Sequence, residues 1–149
     1  MVNLGLAIRL FDFQEQAVLK LLDLTSKPGR KQTIVMKAPT GSGKTIILID
    51  YVDKYLSNVS ASTAFIWLCP GKGDLEEQSR EKMRKFASGR ATQNLFDALL
   101  NGFASGSTTF INWELVTKKG NTAIRDCERK NLFDRIAEAH RRGSEFIII

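Results

Sequence analysis

Eight consecutive residues constrain this chain more than any other segment. Positions 38–45 read Ala-Pro-Thr-Gly-Ser-Gly-Lys-Thr, and two glycines so close together let the backbone turn successive N–H groups inward. Such a nest binds phosphate oxygens, while Lys44 reaches the β and γ phosphates and the Thr45 hydroxyl ligates Mg²⁺. The segment predicts a loop for ATP and Mg²⁺, with Lys44 and Thr45 also catalytic. The predicted cofactor-binding residues of this loop are Thr40, Gly41, Ser42, Gly43, Lys44 and Thr45.

The sequence on either side of the loop supports this interpretation. Apolar residues predict a short buried strand over 33–37 and a helix over 45–56. Strand, loop and helix in that order are the context that the motif requires. Ala38 departs from the strict pattern, which has glycine five residues before Gly43.

Strands and helices alternate along the rest of the chain. We predict helices over 13–24, 74–86, 93–100 and 122–140, and strands over 63–68, 108–113 and 145–149. Asp74 is the expected N-cap of its helix. The residues expected to face inward from the last helix are Ile124, Leu132, Ile136 and Ala139. This alternation predicts an α/β domain with right-handed crossovers and a mainly parallel sheet.

Length and composition exclude several classes of protein. A chain of 149 residues that is 43% hydrophobic suits one globular domain with a sizeable core. No run approaches the roughly 20 apolar residues of a membrane helix, and no secretory signal opens the chain, so we expect a cytoplasmic location and no membrane partner. Cys69 and Cys127 lack metal-ligand spacing. The single histidine, His140, excludes a histidine triad within one copy and is expected at the surface or at a helix C-terminus.

The charge favours a polyanionic partner. The net charge is +6, and the cations concentrate in two groups. The first group contains Arg80, Lys82, Arg84, Lys85 and Arg90, and the second contains Lys118, Lys119, Arg125, Arg129, Lys130, Arg135, Arg141 and Arg142. A solvated helix face explains such runs equally well.

Several segments, in order, resemble the first RecA-like domain of superfamily 2 DEAD/DEAH-type DNA helicases and translocases. The likeness is greatest to the ATPase region of type III restriction enzyme Res subunits. Positions 13–18, Phe-Gln-Glu-Gln-Ala-Val, are similar to that family's opening segment, and loop 38–45 is its form of motif I, Ala38 included. Positions 67–79 resemble motif Ia, and 110–114 resemble the next nucleic-acid segment. The resemblance implies a three-layer, RecA-like P-loop fold.

The resemblance also implies roles for residues outside the loop. It implies that Gln14 reads the adenine edge, and a side-chain amide has the donor and acceptor that this requires. Asn112 and Trp113 offer a hydrogen bond and a stacking face to single-stranded nucleic acid. The residues implied in DNA contact are Pro70, Gly71, Lys72, Gly73, Asn112 and Trp113. A solvent-exposed glutamine, an ordinary strand-to-helix loop and simple packing of the tryptophan stay open as alternatives.

The sequence reaches Ile149 where the resemblance places the strand that leads into motif II, an Asp-Glu pair. We therefore expect residues 1–149 to be a C-terminally truncated helicase ATP-binding domain that ends just before the Walker B acids and hydrolyses little ATP alone. Asp50, Asp53 and Asp74 are interpreted as solvated or capping. The implied partners are DNA, a second RecA-like domain and, where one exists, a methyltransferase subunit. A small P-loop kinase or NTPase and a non-enzymatic remnant that binds DNA or a partner stay open.

Overall fold

The computed structural model describes residues 8–27, 31–71, 74–117 and 131–149. Within these ranges the chain forms six helices and four strands. In chain order they are α1 (Asp12–Thr25), α2 (Lys44–Asn58), β1 (Ala64–Cys69), α3 (Leu75–Phe86), β2 (Ala91–Asn94), α4 (Leu95–Asn101), β3 (Ser107–Asn112), α5 (Trp113–Thr117), α6 (Leu132–Arg141) and β4 (Phe146–Ile148).

The four strands form one parallel sheet in the order β2-β3-β1-β4. β1 and β3 pair from Phe65 opposite Thr108 to Cys69 opposite Asn112, at the ends of both strands. β4 pairs with the other edge of β1, where Ala64 lies opposite Phe146. The predicted parallel sheet is confirmed, and its topology brings the carboxyl ends of β1 and β3 together.

Helices cover both faces of the sheet. Phe65 and Phe110 belong to a core cluster shared with α1, α2 and α3. Ile66 and Ile111 belong to a second cluster, shared with α4, α5 and α6. Neighbouring residues on one strand thus face two different apolar layers, which is why these strands are apolar along their length. The predicted three-layer α/β architecture is confirmed, and it places the inward residues Leu132 and Ala139 in the second layer.

The segment before the loop differs from the prediction. Residues 31–39 form neither helix nor strand, so the strand predicted over 33–37 is wrong. Its apolar composition suits a strand, but a strand also needs a hydrogen-bonded neighbour, and none of the described strands pairs with it. The Val35 side chain is consequently 74% exposed.

Two element boundaries were also predicted incorrectly. Gln93 and Asn94 belong to β2, and the following helix starts only at Leu95. Asn94 fixes that start, because its Oδ1 accepts the Asp97 N–H at 2.8 Å while the Asp97 carboxylate accepts the Asn94 N–H at 3.1 Å. Similarly, Trp113 begins α5 and does not end β3. The last helix begins at Leu132 after a capping residue, Asn131, and the predicted stretch 122–130, which holds Ile124 and Cys127, lies outside the described residues.

The first basic group does not form one continuous cationic surface. The Arg90 guanidinium donates from Nε to Asp53 Oδ1 at 2.6 Å and from Nη2 to the Asp53 carbonyl at 2.8 Å. Arg80 lies 3.5 Å from Glu77 and 3.9 Å from Asp97. Arg90 therefore links the turn before β2 to α2, and Arg80 links α3 to α4. In the second group, positions 118–130 lie outside the described residues.

Candidate functional site

The loop predicted to bind phosphate turns left-handed at both of its glycines. The φ angle is +83° at Gly41 and +81° at Gly43, a conformation that costs other residues about 1–2 kcal/mol. A Cβ at Gly41 would meet nothing within 4 Å, whereas a Cβ at Gly43 would lie 2.5 Å from Gln14 Nε2. The backbone angle thus favours glycine at Gly43, and a side chain there would also have to displace the Gln14 amide.

The Lys44 ammonium folds back on the loop. Its Nζ donates hydrogen bonds to the carbonyl oxygens of Ala38 and Pro39, both at 2.9 Å, and the residue is exposed to solvent. An ammonium has three N–H donors, so one is left for another acceptor. Lys44 is therefore held at the loop in an accessible position, where an anionic ligand can replace its neutral carbonyl acceptors.

Two hydroxyls flank this lysine. Ser42 Oγ is buried and has no hydrogen-bond partner within the described part of the chain. Leaving a buried hydroxyl unpaired costs about 1–3 kcal/mol, so the arrangement suits a ligand that brings an acceptor or donor to this point. Thr45 is half-buried in the first turn of α2, where a hydroxyl can ligate Mg²⁺. The unsatisfied Ser42 hydroxyl and the left-handed glycines thus fit a phosphate-bearing ligand with its metal.

Gln14 joins helix α1 to the loop. Its Oε1 accepts the Phe11 N–H at 2.9 Å, and its Nε2 donates to the Ser42 carbonyl at 3.0 Å. The residue is only 8% exposed. An amide side chain has two N–H donors and two lone pairs on oxygen, so these two bonds use half of that capacity. The sequence analysis did not predict these two hydrogen bonds. A glutamine at the third position of a helix is nevertheless a known signal for bonding back to the N-cap.

A cavity of about 530 Å³ opens beside the loop. Phe13, Ala17, Met36 and Ile47 form its apolar side, and residues 37–42 form the other. The exposed Phe13 ring stacks on that of Phe11, with centroids 6.0 Å apart and planes 6° apart. Ligand pockets commonly measure about 300–1,000 Å³, so the space suits a nucleotide-sized ligand.

The carboxylates that follow the loop are already engaged. Asp50 is 3% exposed and lies 2.7 Å from Lys54 Nζ, while Asp53 is bound by Arg90. Interpreting these two as solvated or capping was therefore wrong, because ion pairs within the domain hold them. Asp74 does occupy the N-cap position of α3, but its φ is +50° and its side chain makes no capping bond. Within the ranges that the structure describes, no group of three or more metal-ligating side chains is present.

The predicted nucleic-acid residues lie where β1 and β3 end. Pro70 and Gly71 follow β1, Asn112 ends β3, and Trp113 is 50% exposed at the start of α5. Asn112 Oδ1 accepts the Glu114 N–H at 2.9 Å and so starts that helix. Lys72 and Gly73 lie outside the described residues. The structure thus brings the described members of the two loops together, with Trp113 half-exposed beside them.

This edge also carries carboxylates that sequence reasoning missed. The Glu114 side chain lies so close over Gly71 that a Cβ there would collide with it. A second cavity, of about 190 Å³, is lined by Gly71, Asp74, Leu75, Glu76, Glu77 and Asn112. Burial raises the pKa of Glu76, and the nearby backbone N–H of Asn112 opposes that rise. Only the positions of Glu76 and Glu114 beside motif-like residues could have drawn attention to them.

The loop and fold together define the class of the protein. A left-handed glycine loop that opens a helix, beside a parallel sheet covered on both faces, defines a P-loop α/β domain of the nucleotide-binding type. The family model for the res subunit of type III restriction enzymes matches residues 7–145, so the chain belongs to that family. This is a family of helicase superfamily 2 N-terminal domains with a RecA-like fold, which confirms the resemblance read from the motifs. No curated protein matches the chain.

No helix in residues 8–27, 31–71, 74–117 and 131–149 is both long and apolar enough to cross a lipid bilayer.

Proposed function

We propose that this helicase-type domain is the ATP-binding part of an ATP-dependent DNA helicase or translocase of the type III restriction-modification kind. ATP with Mg²⁺ would occupy loop 38–45, and DNA would contact the carboxyl ends of β1 and β3. The observation that carries the proposal is the loop itself. Its two left-handed glycines, unpaired Ser42 hydroxyl and accessible Lys44 are in place together.

Each loop residue has a distinct part in the proposed binding. The backbone N–H groups of residues 41–44 and the Lys44 ammonium would bind phosphate oxygens, and Gln14 would use its remaining N–H and lone pair on the adenine edge. Thr45 is the residue that would ligate Mg²⁺, which when bound neutralises phosphate charge. Lys44 would exchange its bonds to Ala38 and Pro39 for bonds to phosphate.

Efficient hydrolysis requires groups beyond this loop. Related phosphoryl transfers use an acidic pair to orient metal and water, and arginines to stabilise the transition state. The two carboxylates of α2, Asp50 and Asp53, are held by Lys54 and Arg90, so neither substitutes for that pair. We therefore propose that residues 1–149 bind ATP but hydrolyse it slowly. A second RecA-like domain, DNA and a methyltransferase subunit would be partners of the whole cytoplasmic protein.

The nucleotide part of the proposal is tested by calorimetric titration with ATP and Mg²⁺. We expect ATP to bind and AMP to bind far more weakly, because the loop binds the β and γ phosphates. Lys44→Ala should weaken ATP binding about 10-fold, since a hydrogen bond to a charged group at an exposed site contributes about 1.5 kcal/mol. Lys82→Ala, which removes an exposed lysine of α3, is the control and should change nothing. Equal affinity for ATP and AMP would contradict the proposal.

The DNA part is tested by fluorescence anisotropy of a labelled single-stranded oligonucleotide at several salt concentrations. Trp113→Ala should weaken binding about 10-fold, because stacking contributes about 1–3 kcal/mol per base. The control is Phe133→Ala, which removes an exposed aromatic ring of α6. If both variants bind like the wild type, Trp113 is not a stacking residue. If the DNA affinity is the same with and without ATP and is unchanged in Lys44→Ala, the result would instead support the non-enzymatic alternative.

A further inference from the structure

A side chain that follows β3 lies directly over the backbone that follows β1. The Cγ and carboxylate of Glu114 occupy the space into which a Cβ on Gly71 would project. Gly71 is not one of the described glycines that have a positive φ, so its backbone angle does not require glycine. The close approach of Glu114 therefore explains why the residue at this position has no side chain.

The same glutamate belongs to the turn that carries Trp113. Asn112 Oδ1 accepts the Glu114 N–H at 2.9 Å, and Trp113, which lies between these two residues, is 50% exposed. The backbone of Glu114 thus follows β3, while its side chain covers the loop after β1. Because Cys69 and Asn112 lie opposite each other at the strand ends, this one residue joins the two segments that we propose contact DNA.

Helix α5 depends on such contacts because it is short. It contains only the five residues Trp113–Thr117, and isolated helices shorter than about 12 residues are marginal in water. Val116 anchors the far end of the helix in the second apolar layer. The end that carries Trp113 is held instead by the Asn112 cap and by the contact between Glu114 and the loop after β1.

We propose that Glu114 is a positioning residue that packs over Gly71 and so holds the Trp113 ring ready to stack on a single-stranded nucleic acid. The inference rests on the proposed DNA function, and it deepens that function by assigning a role to a carboxylate. A carboxylate at a phosphate-binding edge is unfavourable on charge alone, because it repels the backbone of the nucleic acid. The proposed role therefore lies in the packing of the Glu114 side chain and not in its charge.

The contact is tested first in the free protein by a double-mutant cycle. Gly71→Ala should lower the midpoint of urea unfolding by about 0.5 M, because the new Cβ displaces Glu114, and should lower it far less in a Glu114→Ala background. The control is Gly143→Ala, whose Cβ meets nothing within 4 Å, and it should have the same effect in both backgrounds. If Gly71→Ala also has the same effect in both, the two residues are not in contact and the proposal is overturned.

Acrylamide quenching of tryptophan fluorescence then reports the position of the Trp113 ring. Glu114→Ala should raise the quenching because it releases the ring from the loop, and Gly71→Ala should raise it for the same reason. Glu114→Gln, which keeps the length and shape of the side chain, should be quenched like the wild type. The second tryptophan, Trp67, is buried against Phe110 and contributes little. Unchanged quenching in Glu114→Ala overturns the proposal.

Anisotropy of a labelled single-stranded oligonucleotide finally separates packing from charge. Glu114→Ala and Glu114→Gln remove the same negative charge, so electrostatics alone strengthens DNA binding equally in both. We expect Glu114→Gln to bind slightly more tightly than the wild type. Glu114→Ala should bind about 10-fold more weakly than Glu114→Gln, because stacking on one base contributes about that factor. Equal binding by the two variants overturns the proposal. If the wild type binds no DNA, the proposed function is wrong, while the quenching still decides whether Glu114 orients Trp113.

Discussion

Replacing Gly43 with alanine is expected to weaken ATP binding about 100-fold, more than removal of the Lys44 ammonium. The backbone at Gly43 is left-handed, with φ +81°, which costs an alanine about 1–2 kcal/mol. The new Cβ would also lie 2.5 Å from Gln14 Nε2 and displace Gln14 from the Ser42 carbonyl, at a further cost of about 1 kcal/mol. Together these effects shift the loop away from its phosphate-binding shape. Calorimetric titration with ATP and Mg²⁺ measures the loss.

Two other glycines serve as matched controls for this variant. Gly41, in the same loop, has φ +83°, and Gly143, after α6, has φ +88°. A Cβ at either position would meet nothing within 4 Å. Gly41→Ala should therefore weaken ATP binding less than Gly43→Ala, because it adds strain without displacing Gln14. Gly143→Ala should lower stability by about 1 kcal/mol and leave ATP affinity unchanged. If Gly41→Ala and Gly43→Ala weaken binding equally, the Gln14 bond does not support the loop.

The elements that sequence predicted well are those that local patterns determine. α2 follows from apolar residues at helical spacing after the loop, and β1 from an apolar run that two strands and two helix layers bury. The segment 33–37 has a similar composition but pairs with none of the described strands. Pairing is a property of distant parts of the chain, so composition alone could not distinguish these two segments. For the same reason the sequence did not predict β2, which is polar and lies at the edge of the sheet.

At the candidate site, too, the sequence predicted which residues matter but not which residues they contact. The motif identified Gly41, Gly43 and Lys44, and the structure gives those glycines the left-handed angles that the motif requires. The motif did not reveal that Gln14 bonds to the Ser42 carbonyl 28 positions away, nor that the Glu114 side chain lies against Gly71. Arg90 looked like part of a cationic surface, yet it is bound to Asp53. Each of these contacts joins parts of the chain that only the folded domain brings together.

A second large effect is expected in the core, from Phe110→Ala. Phe110 is fully buried in β3, which lies between β2 and β1, and its ring stacks on Trp67 with centroids 5.3 Å apart. Truncating a buried phenylalanine typically costs about 3–5 kcal/mol, which is a large share of the roughly 5–15 kcal/mol that stabilises a domain. We expect the midpoint of urea unfolding, followed by circular dichroism, to fall by more than about 1 M.

The control for this variant is Phe96→Ala, which removes an exposed ring from α4 and should change stability by about 0.5 kcal/mol or less. Similar losses of stability in the two variants would show that Phe110 is not a core residue.

The same two variants also test whether the sheet supports the DNA-binding edge, because Phe110 precedes Asn112 by two positions on the same strand. If β3 positions that edge, Phe110→Ala lowers DNA affinity even where the protein is still folded, and Phe96→Ala does not.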